Sequence, residues 1–545
     1  MKKMFLTVPV LILALIFMVS CGDSSETTTA ADTDTSDTEP SGDTGADSSD
    51  TSAATNCGNR TVDEGEICDG NVIECTTIDP GYTGGFATCN SDCTGWDISV
   101  CKGSDDQDNT DSDPGDTTPP DTDPDTEPAD EIKFDRILVD DNPNKPAFVT
   151  VDDLDNDGHL DMIVAQYGPV LKMSGNYDIY WGTGKLDQWT KETLNIGGDN
   201  GISYPHPVKV LDVNGDGIKD IVSPSGFLAC VMNCGNIFWL EGTGEKNKWT
   251  KHAIVTNNDH FFFDVSLVDI DNDGKLDILT NSSKKTAGVL GMGGSQDEQL
   301  MWFKGTDTDD RFEKTATVIS SGNGGPFPRF IDLNGDGKKD IALAQYFNND
   351  IATDGSFIWF EQIDAENNSW TKHIIDNESG ESFMLEIIDD LYGDGVRRAV
   401  GVNHVNTTDN PNGPKEGVFI FDIPADPTQK WPKKNIATDI KSRQSPSTGP
   451  QAAPGLFGYG DITGNGLIDL VVSGDGDSRV FWFEQNPAGT FTQHTLDGVA
   501  GTAIGEGSFG QAGGMNIVDI DGDGANEIIV TLYEDNKIYI YKYRK

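Results

Sequence analysis

Positive charge is scarce in this sequence. Its 545 residues carry 38 Lys and Arg against 91 Asp and Glu, a formal net charge of −53. So acidic a chain lacks the basic footprint that phosphate backbones require, which excludes nucleic acid as a partner, and charge will not dock it on anionic lipid. Catalytic signatures are also missing. There is no His-Glu-x-x-His helix, no Gly-rich phosphate loop and no ordered Ser/His/Asp set, and only seven His in all. The long apolar run, Phe5 to Val19, is shorter than a membrane span. Large apolar side chains are almost absent from 22–56, which is rich in Ser, Thr, Asp, Glu, Gly and Ala, and from 103–130, which is rich in Asp, Pro and Thr. Such tracts cannot bury enough surface to offset their ordering entropy and read as disordered acidic linkers.

What the N-terminus does contain reads as an export signal. Lys2 and Lys3 precede the apolar run, which ends Met18-Val19-Ser20-Cys21. The small residues before this Cys resemble the lipobox of bacterial lipoproteins. That resemblance implies a signal peptide over 1–20, cleavage before Cys21 and a lipid on its thiol. An ordinary signal peptide with a chance Cys is the rival reading. Gly22, rather than Asp, follows Cys21; the resemblance then places the protein at the outer membrane or cell surface, touching membrane by its lipid anchor only.

Eight Cys remain after Cys21. Six lie within 57–102 (Cys57, Cys68, Cys75, Cys89, Cys93, Cys101), and Cys230 and Cys234 lie far downstream. Even, clustered Cys in an exported chain point to disulfides, and a segment of about 45 residues needs cross-links in place of a core. Its opening, Cys57-Gly-Asn-Arg-Thr-Val-Asp-Glu-Gly-Glu-Ile-Cys68, resembles the Cys-rich repeats of surface proteins from myxobacteria and their relatives. Three disulfides are expected, with the pairing open. A zinc site is the alternative, although the segment has no Cys-x-x-Cys pair and no His.

The rest of the chain repeats. One nine-residue phrase occurs seven times, about 60 residues apart. The first copy has Asp153, Asp155, Asp157, His159 and Asp161 at its odd positions. The second has Asp212, Asn214, Asp216, Ile218 and Asp220, and the third Asp269, Asp271, Asp273, Lys275 and Asp277. The fourth has Asp332, Asn334, Asp336, Lys338 and Asp340, and the seventh Asp519, Asp521, Asp523, Ala525 and Glu527. The fifth departs with Tyr392 and Arg398, the sixth with Thr463 and Asn465. Each phrase lies between an alternating run such as Phe148 to Val151 and a second such as Met162 to Val164. An aromatic run follows (Ile237 to Leu240, Phe357 to Phe360, Val480 to Phe483), then a fourth such as Trp249 to Ile254 or Trp370 to Ile375. Four strands per repeat of this length make one propeller blade. The seventh repeat shows three strands, while a spare one, Ile132 to Val139, precedes the first. Pairing these two ends closes the ring and leaves no open sheet edge at the seam, whereas an open solenoid wants capping repeats. The expected fold class is all-β: a seven-bladed β-propeller over 131–545, preceded by the Cys-rich module and the two linkers.

With these phrases the chain resembles the FG-GAP/VCBS repeat family, whose best-known fold is the propeller of the integrin α subunit. The resemblance covers about 131–545 and implies Ca²⁺ as a structural cofactor. The phrase suits that ion. Ca²⁺ takes six to eight oxygens at about 2.3–2.6 Å; positions 1, 3, 5 and 9 offer side-chain oxygens and residue 7 its carbonyl. An EF-hand is excluded, since it needs an acid at position 12, where Val164, Ser223 and Thr280 stand. About five Ca²⁺ sites are expected (copies one to four and seven), with a weak sixth and an empty fifth in which Arg398 pairs with Asp390 or Asp394. Plain Asp/Gly turns are the competing explanation.

The family geometry puts the metal loops on one rim and the connections 168–177, 224–236, 281–299, 345–356, 403–417, 440–457 and 499–514 on the other. Long loops on a rigid scaffold are where ligands bind. Cys230 and Cys234 are expected to staple one of these loops. His252, His373 and His494 hold equivalent fourth-strand positions and read as packing residues. His206, His260 and His404, with Tyr204, Phe261, Tyr346 and Arg443, are placed to line a rim pocket, where three His can also hold a transition metal. Two functions remain open. One is a calcium-binding, non-enzymatic surface protein that recognises a glycan or protein partner on the loop rim. The other is a carbohydrate-active lyase or dehydratase using rim His or Tyr.

Overall fold

The computed structural model describes residues 133–544, apart from 169–174, 197–201, 227–234, 286–294, 347–350, 409, 446–448 and 499–511, together with short strands between Val72 and Gly103. The chain divides into two units, Met1–Pro124 and Asp125–Lys545. In the first, Val72–Glu74, Phe86–Cys89 and Trp96–Asp97 form one small antiparallel sheet, and Tyr82–Gly84 pairs with Lys102–Gly103. Cys21, the disulfide pairing of the Cys-rich module, both linkers and the Cys230/Cys234 staple lie outside the described residues. Among the described residues no helix is long and apolar enough to cross a membrane.

The second unit is a seven-bladed β-propeller. Each blade is a four-stranded antiparallel sheet in sequence order. In the first blade these strands are Pro146–Asp152, Asp161–Gln166, Asn176–Trp181 and Thr190–Thr193. The seventh blade takes Ala512–Val518, Glu527–Leu532 and Lys537–Tyr543 from the end of the chain and its outer strand, Phe134–Asp140, from the beginning. That seam is in register from Tyr543 opposite Phe134 to Tyr539 opposite Leu138, so the spare strand closes the ring as its alternation predicts.

The strand sequences follow their places in the blade. Second strands are sandwiched by neighbouring sheets and are buried from end to end, as in Asp340–Ala344 and Asp469–Ser473. Fourth strands form the outer edge and are mostly exposed, as in Thr190–Thr193. The apolar core is therefore divided into layers between blades. Trp359 and Phe357 of the fourth blade pack on Phe419 and Phe421 of the fifth, with the Phe357 and Phe421 rings 5.2 Å apart, edge to face.

Several expected loops contain regular structure, among them a single helical turn, Ile351–Asp354, within 345–356. The span 281–299 continues a hairpin, with Asp277–Lys285 paired to Ser295–Phe303. Its polar run Asn281-Ser-Ser-Lys-Lys hid the strand because it lacks apolar alternation, although Asn281, Ser282 and Ser283 are fully buried. The span 440–457 holds a second small hairpin, Arg443–Ser445 with Gly449–Gln451.

First strands surround the axis. There Phe263 meets Phe148 at 5.8 Å, Phe327 at 5.6 Å and Phe383 at 5.9 Å. These rings come from blades one, three, four and five, so side chains of non-neighbouring blades touch and shut the axis at this level. Phe263→Ala is expected to cost about 3–5 kcal/mol, read as a lower denaturant midpoint. A midpoint equal to wild type would show that the rings do not close the axis.

Candidate metal centres

Each nine-residue phrase is the hairpin from the first to the second strand of its blade. Its fourth and sixth residues take left-handed backbone in all seven copies; Asn156 has φ 57° and Gly158 φ 88°, and Asn272 and Gly274 repeat the pair. Only Asn or Gly occupies the fourth position, since these residues tolerate that conformation. This requirement escaped the sequence reading.

The acids hold the loop's backbone. Asp153 accepts from the amides of Asp157 (3.1 Å) and Gly158 (3.0 Å), and Asp157 accepts from that of His159 (2.8 Å). The ninth residue reaches further. Asp161 accepts from the amide of Leu154 in the loop (2.9 Å) and from Gly182 at the end of the third strand (2.8 Å). Asp220, Asp277 and Asp340 repeat both contacts, and Glu527 accepts from Ile520. The ninth residue is thus a strap across three strand ends as well as a candidate ligand. Burial pushes the carboxyl groups of Asp161, Asp220, Asp277 and Asp469 up to about 6, against the pull of these amides, and loop acids nearby push the same way. Asp340 and Glu527 are raised for the same first reason.

Three copies gather carboxylates into one place. One oxygen each of Asp153, Asp155 and Asp161 lie within 4.8 Å of one another, and so do those of Asp269, Asp271 and Asp273, and of Asp519, Asp521 and Glu527. Asp155 Oδ1 and Asp521 Oδ1 are buried and accept no hydrogen bond among the described residues. A cluster of acid oxygens with buried lone pairs left over fits a hard divalent cation. Asp157, Asp277 and Asp523 stand outside these groups, and the acids of the second and fourth copies (Asp212, Asp216, Asp220; Asp332, Asp336, Asp340) are not drawn together in this way. In the sixth copy Asp461 binds the amides of Gly464, Asn465 and Gly466, and Thr463 Oγ1 is buried without a hydrogen bond. In the fifth, Arg398 grips Asp394 through two 2.8 Å bonds, also reaches Asp422 (3.0 Å) and lies 4.3 Å over the Tyr392 ring. A guanidinium therefore sits where the other copies offer oxygens.

The third position divides the loops by charge. Where it is Asp, an ammonium meets it: Lys246 on Asp155 (2.7 Å), Lys304 on Asp271 and on Asp273 (2.8 Å), and Lys542 on Asp521 (2.6 Å), Asp523 (2.8 Å) and Glu527 (3.2 Å). Where it is Asn, a carboxylate meets it: Asn214 donates to Glu241 (3.0 Å) and Asn334 to Glu361 (3.1 Å). Those two Glu are held in turn by His252 (2.9 Å) and His373 (3.0 Å), whose rings stack on Trp239 and Trp359. His494 repeats the arrangement with Glu484 and Trp482. The three fourth-strand His therefore pack and orient a Glu. The signal was present in the sequence: Glu241, Lys304, Glu361 and Glu484 each stand two residues after the third-strand Trp.

The expected rim pocket is not assembled. His206 is fully buried, 4.3 Å from the Phe263 ring, and burial pushes its imidazole down to about 3. Tyr204 and Phe261 belong to the core. His404 is bonded to the Pro454 carbonyl (2.7 Å) and stacked on Phe383, and Tyr346 packs on both rings. His260 bonds Ser282 (3.2 Å) and faces Asp297. No His joins a group able to hold a metal among the described residues. The Arg443 side chain lies outside them.

The family of FG-GAP-like repeats matches residues 153–223 and 461–530, which contain phrases one, two, six and seven. No curated protein matches the sequence. Among solved structures, the chain is similar to a rhamnogalacturonan lyase of Bacillus licheniformis (14% identity, 76% of each chain, TM-score 0.38). It is also similar to an α-L-arabinanase of Penicillium chrysogenum complexed with arabinobiose (11% identity, 74% of this chain and 96% of that one, TM-score 0.39). A periplasmic gluconolactonase of Pseudomonas aeruginosa is a third (11% identity, 65% and 84%, TM-score 0.39). Likeness at this level says nothing of substrate. The chain is a seven-bladed β-propeller that carries FG-GAP-like repeats.

Proposed function

We propose that this is an exported, calcium-stabilised recognition propeller. Its metal loops hold about five Ca²⁺ ions, and Cys21 carries a lipid that keeps it at the outer membrane or cell surface. The rim opposite the metal loops binds a glycan or a protein partner without converting it. One observation carries the metal reading: three hairpins bring carboxylate oxygens within 4.8 Å, two of them with buried oxygens that accept no hydrogen bond. The residues that hold the ion are the acids and amides at positions 1, 3, 5 and 9, with the carbonyl at 7. The ion supplies charge that lets buried carboxylates stay ionised side by side.

A binding role is favoured over catalysis by the fate of the candidate acid/base groups. His206 is buried among aromatic rings, where burial pushes its imidazole down to about 3, and His404 is tied to a backbone carbonyl. Binding of the Ca²⁺-loaded chain to a glycan array, followed by product analysis of each hit, tests this: retention without cleavage is expected, and cleavage of a bound glycan overturns the non-enzymatic reading. Cys21→Ser is expected to shift the protein from the membrane fraction to the soluble fraction; unchanged membrane retention would refute the anchor.

A further inference from the structure

We propose that the axial cavity is a second binding site, for one neutral sugar unit or a similar polyhydroxylated molecule, reached from the rim that carries the metal loops. This goes beyond recognition on the opposite rim and does not depend on it.

The cavity is built by register. In each blade the ninth residue of the phrase is paired with a first-strand residue, for example Asp161 with Asp152 and Asp220 with Leu211. Two residues before that partner, six blades present a polar side chain: Thr150, Lys209, Ser266, Arg329, Glu386 and Asn516. The remaining blade has Gly458. Thr150, Lys209, Ser266, Arg329 and Asn516 line the axial cavity, so one level of the axis is polar around most of its circumference, although first strands are otherwise largely apolar. Farther from the metal loops, the Phe148, Phe263, Phe327 and Phe383 rings close the axis. Toward the metal loops, Asp152, Leu211 and Leu267 are only half-buried. The result is a cavity of about 560 Å³ lined by the Phe148 and Phe327 rings, the polar side chains of the belt and apolar residues such as Val210, Met384 and Phe457, within the size range of small-ligand sites.

The belt's chemistry selects the ligand. Its charges are already matched: Lys209 lies 3.2 Å from the buried Asp264, and Arg329 forms a two-bond pair with Glu386 (Nε to Oε2 2.7 Å). A charged ligand would have to break one of these pairs, which is costly where they are buried. An apolar ligand would strip water from the belt and return no hydrogen bonds. Thr150 and Ser266 donate their hydroxyl protons to the carbonyls of Val208 (3.1 Å) and Pro328 (3.3 Å) on the next blade, so their oxygens are left to accept. With the amide of Asn516, the belt sets donors and acceptors around the edge of a bound ring, while the Phe148 and Phe327 rings of the lining offer apolar contact for its C–H groups. No acid/base pair stands free, so the geometry points to binding and not to turnover.

The test is calorimetric titration of the full Ca²⁺-loaded chain with glucose, galactose, mannose, fucose, rhamnose, xylose and arabinose, with galacturonate as a charged comparison. At least one neutral sugar is expected to bind. Asn516→Leu, of similar volume, is expected to weaken it about tenfold or more, and Ser266→Trp to abolish it by filling the cavity. Melting curves report whether each variant is folded, and Asn516→Leu decides the matter should Ser266→Trp fail to fold. The inference is overturned if no neutral sugar binds, if only galacturonate binds, or if folded Asn516→Leu binds as wild type does. Loss of monosaccharide binding in folded Asn516→Leu with array binding retained would support this site and leave the opposite-rim reading standing.

Discussion

Chelation with EDTA is expected to lower the propeller's melting temperature by about 10–15 °C, and added Ca²⁺ to restore it. A site filled at a hundredfold excess over its Kd adds about 2.7 kcal/mol, so about five sites together add on the order of 10 kcal/mol, comparable with the whole stability of a typical domain. Spread over the unfolding entropy of some 400 residues, that free energy corresponds to the stated shift. The molecular reason is visible in each hairpin. Asp153, Asp155 and Asp161 present oxygens to one point while Asp153 and Asp161 also hold the backbone of the loop and of the third-strand end, so a cation there ties the first, second and third strands of a blade together. Melting that EDTA leaves unchanged would remove the metal reading altogether.

The loops should not respond equally. In the third and seventh copies Ca²⁺ must displace Lys304 or Lys542 from the carboxylates those ammonium groups now neutralise. Replacing both by Met is expected to tighten Ca²⁺ binding at two sites, about tenfold each, in a competition titration with a chromophoric chelator. Glu241→Gln is expected to act in the opposite sense at the second copy, because it removes the negative charge that stands beside Asn214 in place of an acid. Unaltered affinities in both variants would show that residues outside the phrase do not tune the sites, while leaving the sites themselves in place.

Repetition made the fold legible in the sequence. Seven phrases flanked by apolar runs specify strand order, and the unmatched run Ile132 to Val139 specifies how the ring closes, because both depend on local patterning that a linear chain displays. What stayed hidden depends on partners distant in sequence. Asn334 and Glu361 are 27 residues apart, yet they meet because the third strand returns past the loop. Lys246 reaches Asp155 from the next blade. The three candidate rim His look alike in sequence, and only the packing separates His206, inside an aromatic cluster, from His260, on the side of a hairpin. The polar belt of the axis was out of reach for the same reason. Thr150, Lys209 and Arg329 are ordinary strand residues until the register aligns them.

Without metal, the propeller is expected to be more stable at pH 5 than at pH 7.5, the reverse of what salt-bridged carboxylates produce. Asp161, Asp220, Asp277 and Asp469 ionise near 4 in the unfolded chain and, through burial first and acid neighbours second, at about 6 in the folded one. Below pH 4 each is protonated in both states, and its contribution is fully present. As pH rises through 6, each must ionise inside the fold, and the contribution is lost, roughly 3 kcal/mol for a displacement of this size. The overall charge of −53 works in the same direction. Melting in EDTA at the two pH values measures the difference. Asp220→Asn, which keeps an acceptor for the Val213 and Gly242 amides and cannot ionise, should shrink it. Saturating Ca²⁺ should invert it, because the ion requires the deprotonated carboxylates and its binding expels the protons they hold. A metal-free melting temperature that climbs between pH 5 and 7.5 would show that these four acids are already ionised and at ease in the folded protein, and that the loops need no cation to relieve them.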